Sequence, residues 1–191
     1  MTVDGGAAPD DPFSGGLRIT ITTPPLWWDL PLHSPDRLRD IERLVAERST
    51  GLGESVDRAA VAASLEQTAA HATALGAVFA SQFGVADTDV EFGAGIIVAV
   101  HRHMPEEQPG GEVGTVATAN LGPVTRRLLR VPLGADGRSA CLAQNLVPVP
   151  DSDLTVLISG SCVGSDDLAS VGEMFDRIVD TVVIERDQLG S

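Results

Sequence analysis

The alternation of apolar and polar residues predicts one strand close to the beginning of the chain. Over residues 17–23, Leu17, Ile19 and Ile21 alternate with polar side chains. A period of two is typical of a strand that is buried on one face only. The pair Pro24-Pro25 follows and ends the predicted strand.

Apolar residues then recur at intervals of three and four, which predicts two helices. The first begins at Ser34, a good N-cap residue, with Pro35 at the first helical position. The second is predicted over the alanine-rich residues 55–83, and Gly84 ends it. Its small side chains favour close packing of this long helix against a sheet.

The second half of the chain has the pattern of consecutive strands followed by a helix. Runs of valine, leucine and isoleucine are separated by proline and glycine turns, and Asp136-Gly137 favours a tight hairpin. The predicted strands cover residues 90–103, 112–119, 125–132, 139–149 and 154–161, and the helix covers residues 166–183. Elements grouped in this way indicate an α+β fold. We expect an antiparallel β-sheet of about six strands with helices packed on it.

The 191 residues are predicted to contain a single domain over residues 17–186. Residues 1–16, rich in glycine, proline and aspartate, are predicted to be a disordered tail, and residues 187–191 a second tail. The sequence begins with no signal-like leader and contains no run of about 18 apolar residues. These features predict a cytoplasmic protein without membrane insertion.

Composition excludes several classes of chemistry and of partner. The net charge of −14 disfavours nucleic acids and anionic lipid. It favours solubility and is compatible with a basic partner; the alternative is the acidic balance common in bacterial cytosolic proteins. Lysine and tyrosine are absent, which excludes a Schiff-base lysine, a P-loop lysine and a tyrosine acid or base. No G-x-G-x-x-G, Walker A, H-E-x-x-H or zinc-type cysteine motif occurs, and we predict no cofactor. The bias towards alanine, glycine, valine and arginine is typical of a GC-rich genome and suggests an actinobacterial source.

The end of the chain resembles that of a known fold family. A strand over residues 154–159 leads through a polar link to a helix that contains Phe175, Asp176 and Ile178. In this feature, and in element order over residues 17–185, the chain resembles the PsbP-like fold family. That family includes photosystem accessory proteins, a yeast Ran-binding import factor and bacterial proteins of unknown role. The resemblance implies a PsbP-like arrangement and partner-binding work, and it implies no active site.

His101 and His103 form the first candidate site, for a metal ion. Residues at positions i and i+2 of a strand share one face, and two imidazoles on one face are suitable metal ligands. A third ligand would come from Glu106, Glu107 or His71. The alternative is a polar strand end that has no ligand.

Cys162 is the second candidate, as a catalytic nucleophile. The sequence from Gly160 to Gly164 has the G-x-C-x-G form of a nucleophile elbow and lies between a predicted strand and a predicted helix. No histidine follows Cys162 to act as its base. The alternative is a strand-to-helix connection capped by Ser165, in which Cys162 and Cys141 are buried, reduced thiols.

Trp27 and Trp28 form the third candidate, for binding a protein partner. Adjacent residues of an extended segment face opposite sides, so one interpretation places one indole in the core and one on the surface, where it would be a hot spot for a partner. The alternative is that both rings cover the edge of the core.

Binding is the leading hypothesis for function. We predict a non-enzymatic accessory protein of the bacterial cytosol that binds a protein partner, linked to an actinobacterial secretion or envelope system. A metal- or thiol-dependent enzyme that uses His101 and His103 or Cys162 is one alternative. A small-ligand carrier, with a pocket between the long helix and the sheet, is another.

Overall fold

The computed structural model describes residues 2–4, 16–48, 57–84, 93–102, 111–133, 138–165 and 167–186. Three helices occur in these residues: α1 (Arg37–Arg48), α2 (Arg58–Ala74) and α3 (Leu168–Val179). The strands, in chain order, are β1 (Thr2–Asp4), β2 (Leu17–Thr20), β3 (Trp28–Asp29), β4 (Ala77–Phe83), β5 (Gly93–His101), β6 (Glu112–Thr118), β7 (Gly122–Pro132), β8 (Ser139–Pro148), β9 (Thr155–Val163) and β10 (Val183–Arg186).

The strands form two antiparallel sheets. The main sheet has seven strands in the order β3-β4-β5-β9-β8-β7-β6, and a smaller sheet has the order β1-β2-β10. Every strand pair in both sheets is antiparallel. The predicted α+β class with an antiparallel sheet is confirmed, although the main sheet has one strand more than expected. The PsbP-like arrangement of these elements stays a prediction.

Helix α3 covers one face of the main sheet, over β7, β8 and β9. Phe175 of α3 is fully buried and its ring lies directly on Gly160 of β9, where an added Cβ atom would be 2.3 Å from the ring. A T-shaped contact joins Phe175 to Trp27, with 6.3 Å between the ring centroids. This apolar core therefore needs glycine at position 160.

Helices α1 and α2 cover the opposite face, at the β3–β4 end of the sheet. Phe79 of β4 belongs to the α3-side core and its neighbour Ala80 to the core under α1 and α2, as expected from the alternation of a strand. Arg37 of α1 makes a bidentate ion pair with Glu66 of α2, with a shortest distance of 2.7 Å. None of the described helices is long and apolar enough to span a membrane.

The predicted long helix over residues 55–83 is wrong beyond Ala74. Gly76, with φ of +72°, lies in the left-handed region at the end of α2, and β4 follows at once. Alanine is a good helix former, but it also fits a closely packed central strand, and pairing of β4 with both β3 and β5 decides the outcome. Gly84 follows a strand and not a helix.

Other departures from the sequence prediction lie at the ends of the domain. The predicted first strand is β2, but it pairs with β1 and β10 outside the main sheet. Strand β1 occupies residues 2–4 of the segment that was predicted to be a disordered tail. The final helix ends at Val179 and is followed by β10, and α1 begins at Arg37, after Ser34.

Gly160→Ala is expected to lower stability strongly, because its new methyl group would displace the Phe175 ring. Overpacking of this kind costs about 1–3 kcal/mol or more. Urea unfolding followed by tryptophan fluorescence measures the loss. Gly114→Ala in β6 is the matched control, since an added Cβ atom has no neighbour within 4 Å there. Equal effects of the two substitutions would show that the Phe175 contact does not limit stability.

Candidate functional site

The Trp27-Trp28 segment is internal. The two indoles enter the two different cores, as the alternation predicts. Trp27 is only 5% exposed and Trp28 only 6%, so the interpretation with one indole on the surface is wrong and the alternative, in which both rings belong to the core, describes the segment. The guanidinium of Arg48 covers the Trp28 ring at 5.6 Å and also donates to the Trp27 carbonyl. Partner binding at this segment stays a prediction, but the described surface offers a partner neither ring.

Cys162 lies in an environment that suppresses thiol reactivity. It is a strand residue within β9, not a residue of a turn, and it is 0% exposed. Burial, together with the neighbouring Cys141, raises its pKa to about 11. Helix α3 begins at Leu168 with Asp167 as its N-cap, so the helix start lies beyond the reach of the thiol and Ser165 is not the cap. A protonated, enclosed thiol lacks the properties of an activated nucleophile.

The glycines of the G-x-C-x-G sequence have structural explanations. Gly160 leaves room for the Phe175 ring, and Gly164 has φ of +79° at the end of β9. Each requires glycine for its own reason, and neither reason involves a reacting group. The motif is therefore explained by the packing of α3 on Gly160 and by the end of β9 at Gly164.

Cys141 and Cys162 are opposite each other on β8 and β9, and both are free thiols. The N–H of Val149 donates to the carbonyl of Leu154 at the end of this ladder, and alternation from that point makes the cysteines a hydrogen-bonded pair. Side chains of hydrogen-bonded pairs are farther apart than those of non-hydrogen-bonded pairs, with Cβ atoms about 5.5 Å apart. A disulfide requires about 3.5–4.5 Å, so this register favours the dithiol.

The histidine candidates are not brought together within the described residues. His101 ends β5 opposite Thr155, whereas His103, Glu106 and Glu107 lie outside the described residues. His71 is in the last turn of α2, on an exposed position. The described part of the chain contains no group of three or more possible metal ligands. A metal site at His101 and His103 stays a prediction.

One groove lies beside α3 and not beneath the long helix. It has a volume of about 500 Å³ and lies between α3 and the segment that follows β2. Its lining combines Met174 and Ile178 with Glu173, Arg177 and two threonines. The pocket that the carrier hypothesis places between the long helix and the sheet is not the groove found here.

Strand β6 is the feature that sequence reasoning did not identify as a site. It forms one edge of the main sheet, and among the described residues it pairs only with β7. The other edge strand, β3, has just two residues, whereas β6 has seven. An edge strand exposes main-chain donors and acceptors that can pair with another chain.

The hydrogen-bond pattern identifies which groups of β6 point away from the sheet. The N–H of Leu133 donates to the carbonyl of Arg138 over 2.8 Å at the end of the β7–β8 ladder. Hydrogen-bonded pairs alternate from there along the register, so Thr125 uses its main-chain groups with β8. Thr115, which is opposite Thr125 on β6, is therefore in a non-hydrogen-bonded pair, and its N–H and C=O point outward.

By the same alternation, three residues of β6 present outward main-chain groups: Val113, Thr115 and Ala117. All three are exposed, and the side chain of Val113 is 64% exposed. The strand contains no proline and no bulge against β7, and Glu112 is its single charged residue. The usual protections of an edge strand are absent from this segment.

Carboxylates of α3 lie beside this edge. Arg126 of β7 pairs with Asp176, and the Asp180 side chain accepts a hydrogen bond from the N–H of Ala119, directly after β6. Burial raises the pKa of Asp176, while the Arg126 charge acts to lower it and Glu173 to raise it. The flank of α3 that faces β6 is therefore acidic.

Cys162 is expected to make the fold sensitive to alkaline pH. A folded-state pKa of about 11, against 9.0 for an ordinary thiol, gives stability that is complete below pH 9 and lost as the pH rises to 11. The loss is on the order of 2 kcal/mol. Because the chain has neither lysine nor tyrosine, few other side chains titrate in this range.

Urea midpoints at pH 7 and pH 10.5 measure this effect. Wild type is expected to lose stability between the two values, whereas Cys162→Ala starts from a lower stability but changes less. A pH dependence that is the same in both proteins would contradict the assignment.

Comparisons with known proteins do not place the chain in a family. No family model matches it, and no curated protein does so. Among solved structures, it is similar to the crystal structure of LpqN, a protein of Mycobacterium tuberculosis involved in cell envelope biogenesis. The TM-score is 0.43 at 13% sequence identity, over 96% of this chain and 90% of LpqN.

Proposed function

We propose that this chain is a non-enzymatic accessory protein whose partner adds a strand to β6. The observation that carries the proposal is the seven-residue edge strand with exposed side chains and outward main-chain groups at three positions. Strand addition is a common mode of peptide recognition, in which main-chain hydrogen bonds give affinity and side-chain contacts give specificity. A cytosolic location and a link to an actinobacterial secretion or envelope system belong to the same proposal, on the basis of composition.

The main sheet supports strand addition because β6 is held rigidly from behind. Strand β7 pairs with both β6 and β8 over long registers, and the β6–β7 turn is tied to α3 through Asp180, which bonds the N–H of Ala119 and the side chain of Asn120. A partner strand therefore meets an edge that is already ordered. Less conformational entropy is lost on binding to such an edge than to a flexible loop.

The three outward-facing residues of β6 present six main-chain groups, one N–H and one C=O each, and this number limits the affinity that main-chain pairing can give. Each hydrogen bond contributes about 0.5–1.5 kcal/mol net, so main-chain pairing alone gives a modest, reversible affinity. Side chains of the partner that pack beside Val113 or reach α3 would supply the remainder. This balance is appropriate for an accessory protein that releases its partner.

Thr115→Pro is expected to abolish binding without loss of the fold. The substitution removes an outward N–H that β7 does not use, and proline is tolerated at such edge positions. The probe is a capped heptapeptide of alternating valine and threonine, titrated into the labelled protein and followed by amide NMR shifts. We expect shifts centred on β6 in the wild type and none with Thr115→Pro.

Thr115→Val is the matched control, because it changes the same side chain but keeps the N–H, and binding should be retained. Val116→Pro tests the hydrogen-bond assignment itself: the Val116 N–H bonds to β7, so this variant should lower the thermal midpoint, whereas Thr115→Pro should not. Peptide shifts that avoid β6, or that persist in Thr115→Pro, would overturn the proposed function.

A further inference from the structure

We infer that the segment added to β6 carries an arginine or lysine opposite Gly114, directed towards the carboxylates of α3. This inference rests on the proposed function, since it specifies the chemistry of the strand that docks on β6. It is carried by the placement of Gly114, by the acidic flank of α3 and by the charge of the whole chain.

Gly114 provides an uncovered position on the α3 side of the edge. It is opposite Arg126 of β7, whose guanidinium contacts α3, so position 114 faces the same side of the sheet as α3. An added Cβ atom at Gly114 would have no neighbour within 4 Å. A long side chain from an added strand can therefore cross over Gly114 towards the helix.

The α3 flank above this position carries two carboxylates against one guanidinium. Asp176 and Asp180 are four residues apart, which places them on one side of the helix. Asp180 contacts the residue that follows β6, and Asp176 contacts Arg126 beside it. Because Arg126 offsets only one of these two negative charges, the flank attracts a further cation.

Other charges near the edge do not remove this preference. Glu112 begins β6 on the same side as Gly114 and adds negative charge. Arg127 is opposite Val113, on the other side of the sheet. Glu173 and Arg177 both line the groove on the far flank of α3, and their charges offset each other because they are four residues apart. The acidic flank is therefore the charged surface that a side chain opposite Gly114 would approach.

The net charge of −14 argues against a second copy of this chain as the occupant. The edge is geometrically suitable for self-pairing about Thr115, but two such chains repel each other, and pairing would bring together two acidic flanks. Repulsion of this kind is felt over about 8 Å at physiological ionic strength. The negative field of the chain attracts a basic segment and repels a second copy.

Three heptapeptides that differ only at the central residue test the inference. The central residue is arginine, threonine or glutamate in the valine–threonine host, placed opposite Gly114. In 50 mM salt we expect the arginine peptide to bind about twofold to fivefold more tightly than the threonine peptide, and the glutamate peptide more weakly than either. In 500 mM salt the three affinities should converge.

Asp180→Asn should reduce the arginine preference by about twofold, since it removes the charge but keeps the oxygen that accepts from Ala119. Glu185→Gln, the same kind of charge change on β10, should leave the preference unaltered. Equal binding of all three peptides at β6 with loss in Thr115→Pro would overturn this inference and leave the proposed function standing. Absence of any binding at β6 would overturn both. Sedimentation that shows a dimer abolished by Thr115→Pro would identify a second copy as the occupant and refute the basic partner.

Discussion

The contact between Phe175 and the bare backbone of Gly160 fixes the position of α3, and with it the geometry of the candidate site. No side chain at position 160 separates the ring from β9, so the helix lies as close to the sheet as an aromatic residue permits. Trp27 makes a T-shaped contact with the same Phe175 ring. With α3 held here, its carboxylate flank reaches the β6–β7 turn, where Asp180 bonds Ala119.

The sheet divides the apolar residues into two cores, and the adjacent tryptophans contribute one ring to each. A chain with 4% aromatic residues has few large side chains available for this purpose. Trp27 fills the α3 side, and Trp28 fills the side of α1 and α2 under the guanidinium of Arg48. An aromatic pair that resembles a binding hot spot in the sequence therefore connects the two layers of the fold.

Local pattern was sufficient for the fold class and insufficient for the site. Alternation predicted β8 and β9 to within two residues at each end, because each lies between turn-forming residues and has one face against α3. Alanines that suit a helix and a buried strand equally concealed the change from α2 to β4.

The edge position of β6 depends on β9 entering between β5 and β8, a long-range pairing that no local pattern records. The Cys162 motif failed for a related reason, since the environment of a thiol depends on strands distant in sequence.

The two edge strands of the main sheet differ in length and in their protection against pairing. In the proposed mode of binding, the charge of the chain keeps the longer one available to a partner strand. Strand β3 is too short to template another chain, and it is followed by the α1–α2 layer. Strand β6 has neither proline nor lysine to prevent pairing, which in most proteins would invite association between copies. A net charge of −14 opposes the approach of a second acidic chain. In the proposed mode of binding the same field attracts a cationic segment, so one electrostatic property would both disfavour self-association and favour the partner.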